Sequence, residues 1–170
     1  MAQRKTVDDL FVHLLSGIYS AGKQSTKALA KLSLAASDPR LGDAFKTRLE
    51  ETQGQVKRID QMVEVCGIQL ERMKCVAMEG LIEEGDELVD EVERGPVLDA
   101  GPVAAAQKVE HYEIAAYGSL CAIGKQLGRL RLHFARLHSE LRELQISGLL
   151  YSLIARIVPQ RWRKAGAQTP

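Results

Sequence analysis

Proline and cysteine are scarce in this sequence, and no apolar run is long enough to cross a bilayer. Five prolines among 170 residues leave long stretches free of helix breakers. The three cysteines, Cys66, Cys75 and Cys121, are odd in number, widely spaced and without a C-x-x-C pair. That pattern argues against a disulfide framework and fits buried, reduced thiols. The longest apolar stretch, Gly148–Val158, contains Arg156 and is too short to span a membrane. The opening MAQRKTVDDL meets acids before any apolar run, so no secretory signal is expected there. The expected location is the cytoplasm. Strand alternation, short repeats and low-complexity tracts are all missing.

What is present favours helix. Leu, Ala, Glu, Lys, Arg and Gln dominate, and they lose little on entering one. The expectation is one all-α domain over residues 1–170, with 159–170 as a frayed tail. Thr6 and Asp9 form a variant capping box ahead of Leu10, Leu14, Ile18, Ala21, Ala28 and Leu32 at helical spacing. A first helix is predicted over Val7–Ala35. Ser37-Asp38-Pro39 stops it and starts a second, with Leu41, Phe45, Leu49, Thr52, Val56, Ile59 and Val63 on one face and Gly67 as C-cap. Leu70–Val92, acidic and weakened by Gly80 and Gly85, reads as a shorter crossing segment. A loop bracketed by Gly95-Pro96 and Gly101-Pro102 follows. Another helix is predicted from Val103, with Val103, Ala106, Glu110, Ile114, Tyr117 and Cys121 facing inward. A last helix is predicted over 129–158, with a possible break at Gly148. Two helical hairpins joined by a long crossover with a short extra helix are the layout of a ferritin-like four-helix bundle.

Charge is unevenly distributed. Residues 1–124 hold 14 Lys/Arg against 20 Asp/Glu, whereas residues 125–170 hold 9 against 2. A basic end on an acidic body suits an acidic partner or self-association, and a solvated basic end suits the same numbers. Ile146–Lys164 combines apolar residues and Trp162 with four cationic side chains, the composition of a helix lying on a membrane surface. A helix packed in the bundle is the plainer account. The arginine-rich RLRLHFARLHSELREL lacks a nucleic-acid-binding fold, so no nucleic acid is expected. No Ser/His/Asp order or phosphate loop stands out, so no catalytic residue and no small-molecule substrate is identified.

Glu110 is the most informative residue. Helical spacing puts it in the middle of an apolar face, with Glu113 one turn on. A carboxylate out of water costs several kcal/mol unless it is paired, protonated or metal-bound. Two inward acids at i and i+3 suit a hard cation; a protonated or salt-bridged core acid, or a helix at a bundle opening, is the plainer account of the pattern. Glu51 lies at the edge of the second helix's apolar face, where a salt bridge to Arg48 competes with metal ligation. His111 is beside Glu110 but a quarter turn away, as a supporting or a surface histidine. Tyr117 is a core or supporting hydroxyl, and Gln55 stands behind Glu51.

The stretches TVDDLFVHLLSGIYSAGKQSTKALAKL, RLEETQGQVKRIDQMVE, RMKCVAMEGLIEE and AAAQKVEHYEIAAYGSL resemble the bacterial YciF-like stress proteins of the ferritin-like superfamily, over about Thr6 to Gly128. The resemblance implies a helical bundle, a homodimer, an association with stress responses, and a candidate di-metal site like that of rubrerythrin. Its ligands here would be Glu51, Glu110 and Glu113, with His111, Tyr117 and Gln55 around them. The metal would be iron or manganese, bound weakly or not at all. Three departures underlie that last expectation. Gly22 stands where the family reads Glu in Y-S-A-E-K-Q. Arg48 and Gln53 stand where it commonly has histidines. The family's glutamate-rich last helix is not recognisable after Gly128, although Glu140 and Glu143 carry E-x-x-E spacing. Codons for Leu144–Leu153 can be chosen so that a shifted frame gives Ala-Ala-Asn-Ile-Arg-Leu-Thr-Val-Leu-Ala, close to the family's ending. The C-terminal third therefore reads as divergent and frameshifted. A metal-free helical protein acting through its surfaces is the competing expectation.

Overall fold

The computed structural model describes residues 6–91 and 96–127. The expected last helix at 129–158, the tail at 159–170, Glu140 and Glu143 lie outside them. Among the described residues there are four helices and no strand: α1 Val7–Ala35, α2 Pro39–Cys66, α3 Val76–Glu91 and α4 Pro96–Leu127. The chain is the all-α bundle that its composition demands. None of these helices is long and apolar enough to cross a membrane.

The hairpin of α1 and α2 forms as its caps dictate. The Thr6 hydroxyl accepts from the Asp9 amide at 3.2 Å, and the Thr6 amide donates to Asp9 Oδ2 at 2.8 Å. Asp38 caps α2, accepting from the Arg40 amide at 2.9 Å, with Pro39 in the first turn. Gly67 ends α2 at φ 62°, a left-handed conformation that glycine adopts without a Cβ penalty. Ile18, Ala21 and Leu32 of the expected stripe are buried, whereas near the start of α1 Phe11 and Leu15 are buried and Leu10 is exposed.

Two further expectations need correction. Residues 68–75 are not helical. They return along α1 as a strap whose amides are taken up by side chains. Ser16 Oγ accepts from the Glu71 amide at 2.9 Å and Ser20 Oγ from the Cys75 amide at 3.1 Å. Gln24 Nε2 donates to the Cys75 carbonyl at 3.2 Å. Serine and glutamine at i, i+4 and i+8 thus line one face of α1. At the other end of α3, the predicted loop before Val103 is already helix. α4 begins at Pro96 and carries Pro102 inside it. A proline in the first turn removes no helical bond, and Gly101 lets the backbone approach Leu88, whose Cβ would lie 3.3 Å from an added Cβ.

α1 packs against α2, α3 and α4, and α3 against α4, whereas α2 and α4 have few close backbone approaches. The apolar core divides in two. One cluster holds Phe11, Leu15, Ile18, Ile59, Met62, Met78, Tyr117 and Leu120. The other holds Leu29, Leu32, Leu41, Phe45, Val103 and Ala106. Between them, the buried residues are polar on all three long helices: Ser25 on α1, Arg48, Thr52 and Gln55 on α2, and Glu110 and Glu113 on α4.

Candidate functional site

That polar layer gathers the three acids expected to be ligands around one cation, the Arg48 guanidinium. Its Nη2 lies 2.7 Å from Glu113 Oε2, its Nη1 3.2 Å from Glu51 Oε2 and its Nε 3.6 Å from Glu110 Oε1. The first two are charge-assisted hydrogen bonds, the strong class in proteins. The third is an ion pair beyond hydrogen-bond length. Each guanidinium nitrogen therefore addresses a different carboxylate, two on α4 and one on α2.

Local structure explains the convergence. Glu110 and Glu113 are three apart on α4 and project toward the same side. Arg48 and Glu51 are three apart on α2 and pair along the helix. Because α2 and α4 stand apart, only a long side chain joins them, and the arginine stem crosses apolar interior to do so. Thr52 donates from Oγ1 to the Arg48 carbonyl at 2.9 Å.

Burial sets the energetics. The side chains of Arg48, Glu110 and Glu113 are 7%, 11% and 3% exposed, that of Glu51 48%. A buried ion pair costs desolvation that its attraction roughly offsets, but removing one partner leaves a buried uncompensated charge. Burial pushes the Glu113 carboxyl up to about 6 against the opposing pull of Arg48, and neighbouring Glu110 pushes it the same way. Beside the cluster is a cavity of about 40 Å³, lined mostly by apolar residues of α1, α3 and α4, with Ser25, Arg48, Thr52, Asp86, Glu110 and Glu113 as its polar lining.

The remaining expected residues fall in different places. Gln55 is buried, and among the described residues its Nε2 has no hydrogen-bond partner. Tyr117 is buried in the first apolar cluster. His111 is exposed on α4. Gly22 is buried facing α2, and a Cβ there would sit 2.9 Å from Val56 Cγ2. α1 thus has neither a carboxylate at that position nor ready space for one.

A di-metal carboxylate centre needs about four carboxylates and two histidines converging from the bundle helices. The described residues do not fit it. Three carboxylates converge, no imidazole joins them, and a fixed guanidinium occupies their common focus. Among the described residues no group of three or more His, Cys, Asp or Glu side chains is arranged to hold a metal ion. Sequence reasoning noted Arg48 as a departure and as a partner for Glu51; its reach to α4 was the missing part. Asp99 carries no sequence signal of its role. It is buried on α4 and accepts from the amides of Ser37 at 2.7 Å and Asp38 at 3.1 Å, tying the α1–α2 turn to α4.

Comparison with known proteins agrees with this fold. The family model described as a domain of unknown function, DUF892, matches residues 6–158, further along the chain than the resemblance read from the sequence. Protein YciF of Escherichia coli strain K12 is 58% identical over 125 residues, which cover 73% of this chain and 75% of that one. The crystal structure of the E. coli stress protein YciF superposes with a TM-score of 0.86 at 50% identity, over 91% of this chain and 98% of that one. YcfI of Rhodopseudomonas palustris, described as a candidate structural protein, superposes with a TM-score of 0.80 at 40% identity, over 87% of this chain and 94% of that one.

Proposed function

The chain belongs to the DUF892 family, and within it we propose that it is a metal-free structural protein of the YciF-like stress group, acting through its surfaces rather than by catalysis. The observation that carries this reading is Arg48 Nη2 at 2.7 Å from buried Glu113 Oε2. The inward acids, which alone suggest a cation cage, already have a cation. A resident guanidinium cannot leave and has no redox chemistry. Its effect is to hold α2 and α4 in register across the gap between them. The description of YcfI as a candidate structural protein is in keeping with this role. A homodimer in the cytoplasm is the assembly and place in which such a protein would act.

The test is metal analysis of protein purified without chelator, with melting curves before and after anaerobic addition of Fe(II). The expected outcome is iron and manganese far below one equivalent per chain and an unchanged melting temperature. Near-stoichiometric metal that disappears in Glu110→Gln and Glu113→Gln would overturn the reading in favour of a ferritin-like metal centre.

A further inference from the structure

We infer that the polar layer of the bundle is a cation receptor whose occupant is built into the chain: Arg48 is to Glu51, Glu110 and Glu113 what a bound cation is to its site. This rests on the metal-free reading above and extends it to a ligand class that the site accepts once its own side chain is withdrawn.

Three observations converge on it. The division of labour is complete, with Nη1, Nη2 and Nε each facing a separate carboxylate at 3.2, 2.7 and 3.6 Å. The acids come from two helices with few close backbone approaches, so the guanidinium, and not a backbone contact, spans them. Space already exists beside it, in the cavity of about 40 Å³ that Arg48, Glu110 and Glu113 help to line. A cavity of this size with polar groups in its lining has room for water. Truncating Arg48 enlarges this space instead of opening a separate void. The vacated position is then lined by acids and continuous with a cavity, and it matches a small cation. Guanidinium fits best, since it repeats the planar set of donors. A hydrated divalent ion is the alternative filling, since carboxylate oxygens are hard ligands.

The experiment uses the full chain as wild type, Arg48→Ala and Arg48→Ala/Glu113→Gln. Melting temperatures are recorded with 10 mM guanidinium chloride, with tetramethylammonium chloride at equal ionic strength, and with Mn(II) followed by its electron paramagnetic resonance signal. Arg48→Ala is expected to melt below wild type and to recover by at least about 3 °C with guanidinium, because a ligand that binds only the folded state stabilises it. Tetramethylammonium should give no recovery, and Glu113→Gln in the same background should abolish it. Mn(II) taken up by Arg48→Ala and not by wild type supports the same receptor. Arg48→Ala that responds to neither cation overturns the proposal while leaving the metal-free reading intact. Wild type that binds Mn(II) through these acids overturns that reading instead.

Should Arg48→Ala not fold, the wild type still decides the matter. A seated guanidinium predicts an Arg48 Nε proton that exchanges with solvent at least tenfold more slowly than those of exposed arginines. Exchange as fast as theirs sinks the proposal.

Discussion

Arg48 on α2 and Glu113 on α4 meet at 2.7 Å with both side chains almost wholly out of water. The pair lies in a polar band between two apolar clusters, where the same guanidinium also faces Glu51 and Glu110. Arg48→Met keeps the stem and removes the charge, leaving Glu110 and Glu113 without this cation. It is expected to lower stability by about 3–5 kcal/mol. Arg48→Met/Glu113→Leu should be less destabilised than the two single changes together, by about 1–3 kcal/mol of coupling. Urea denaturation of the four proteins measures the cycle. Strict additivity would mean that the contact carries no energy.

The acid limb of stability should carry the signature of Glu113. Its carboxyl is raised from 4.5 to about 6, chiefly by burial, so the folded state holds this proton more tightly than the unfolded state does. The contribution is therefore full below about pH 4.5 and is lost as pH rises toward 6. Linkage puts the loss at about 2 kcal/mol. Glu113→Gln cannot titrate, so its stability relative to wild type should climb by that amount across the window and stay level above it. Paired urea titrations between pH 4 and 8 measure this, and a pH-independent difference would remove Glu113 as the titrating group.

Much of this architecture is legible in the chain because its signals are local. The Thr6 and Asp9 capping box, Pro39 and Gly67 each act within a turn of themselves, and α1 and α2 end where those residues say. The beginning of α3 is not legible in the same way. Residues 68–75 leave the helix because Ser16 and Ser20, more than fifty positions earlier, take up their amides. The onset of α4 is hidden by Pro102, normally a breaker and here accommodated inside the helix. At the site, the inward direction of Glu110 and Glu113 follows from periodicity. The identity of their partner depends on which helices stand opposite, a tertiary fact that no window of sequence contains.

Gly22 sits under Val56, where an added Cβ would approach Cγ2 to 2.9 Å. Alanine in mid-helix gains roughly 1 kcal/mol over glycine from propensity, yet overpacking against a stiff β-branched neighbour costs about 1–3 kcal/mol. Gly22→Ala is therefore expected to be neutral to destabilising by up to about 2 kcal/mol, the reverse of an exposed site. Trimming the neighbour removes the clash, so Gly22→Ala should stabilise a Val56→Ala background. Thermal melts of the four combinations test the sign, and a Gly22→Ala that stabilises the wild type outright refutes the close approach.

The strap offers a residue-resolved test. Ser20 Oγ accepts from the Cys75 amide and, at 3.3 Å, from Gln24 Nε2, while Ser16 Oγ accepts from the Glu71 amide. Ser16→Ala and Ser20→Ala each leave an amide without its acceptor, at about 1 kcal/mol apiece. Amide hydrogen exchange should accelerate at Glu71 in the first variant and at Cys75 in the second, with α2 unaffected. Uniform acceleration through the whole chain would show that the serines support global stability and not the strap.

Asp99 ties a turn to a distant helix through a single carboxylate. From α4 it accepts from the amides of Ser37 and Asp38 at 2.7 and 3.1 Å, at the turn where α1 gives way to α2. A charged acceptor on two amides is worth more than a neutral one, and here it also orients the Asp38 backbone that caps α2. Asp99→Ala strips the acceptor from both amides and is expected to cost about 2–4 kcal/mol. Asp99→Asn keeps one carbonyl oxygen and should cost roughly half as much. The loss should appear as faster amide exchange at Ser37 and Asp38 before any change near Gly67, because the opposite end of α2 has its own cap. Equal effects at both ends would mean that Asp99 acts on the bundle as a whole and not on the turn it touches.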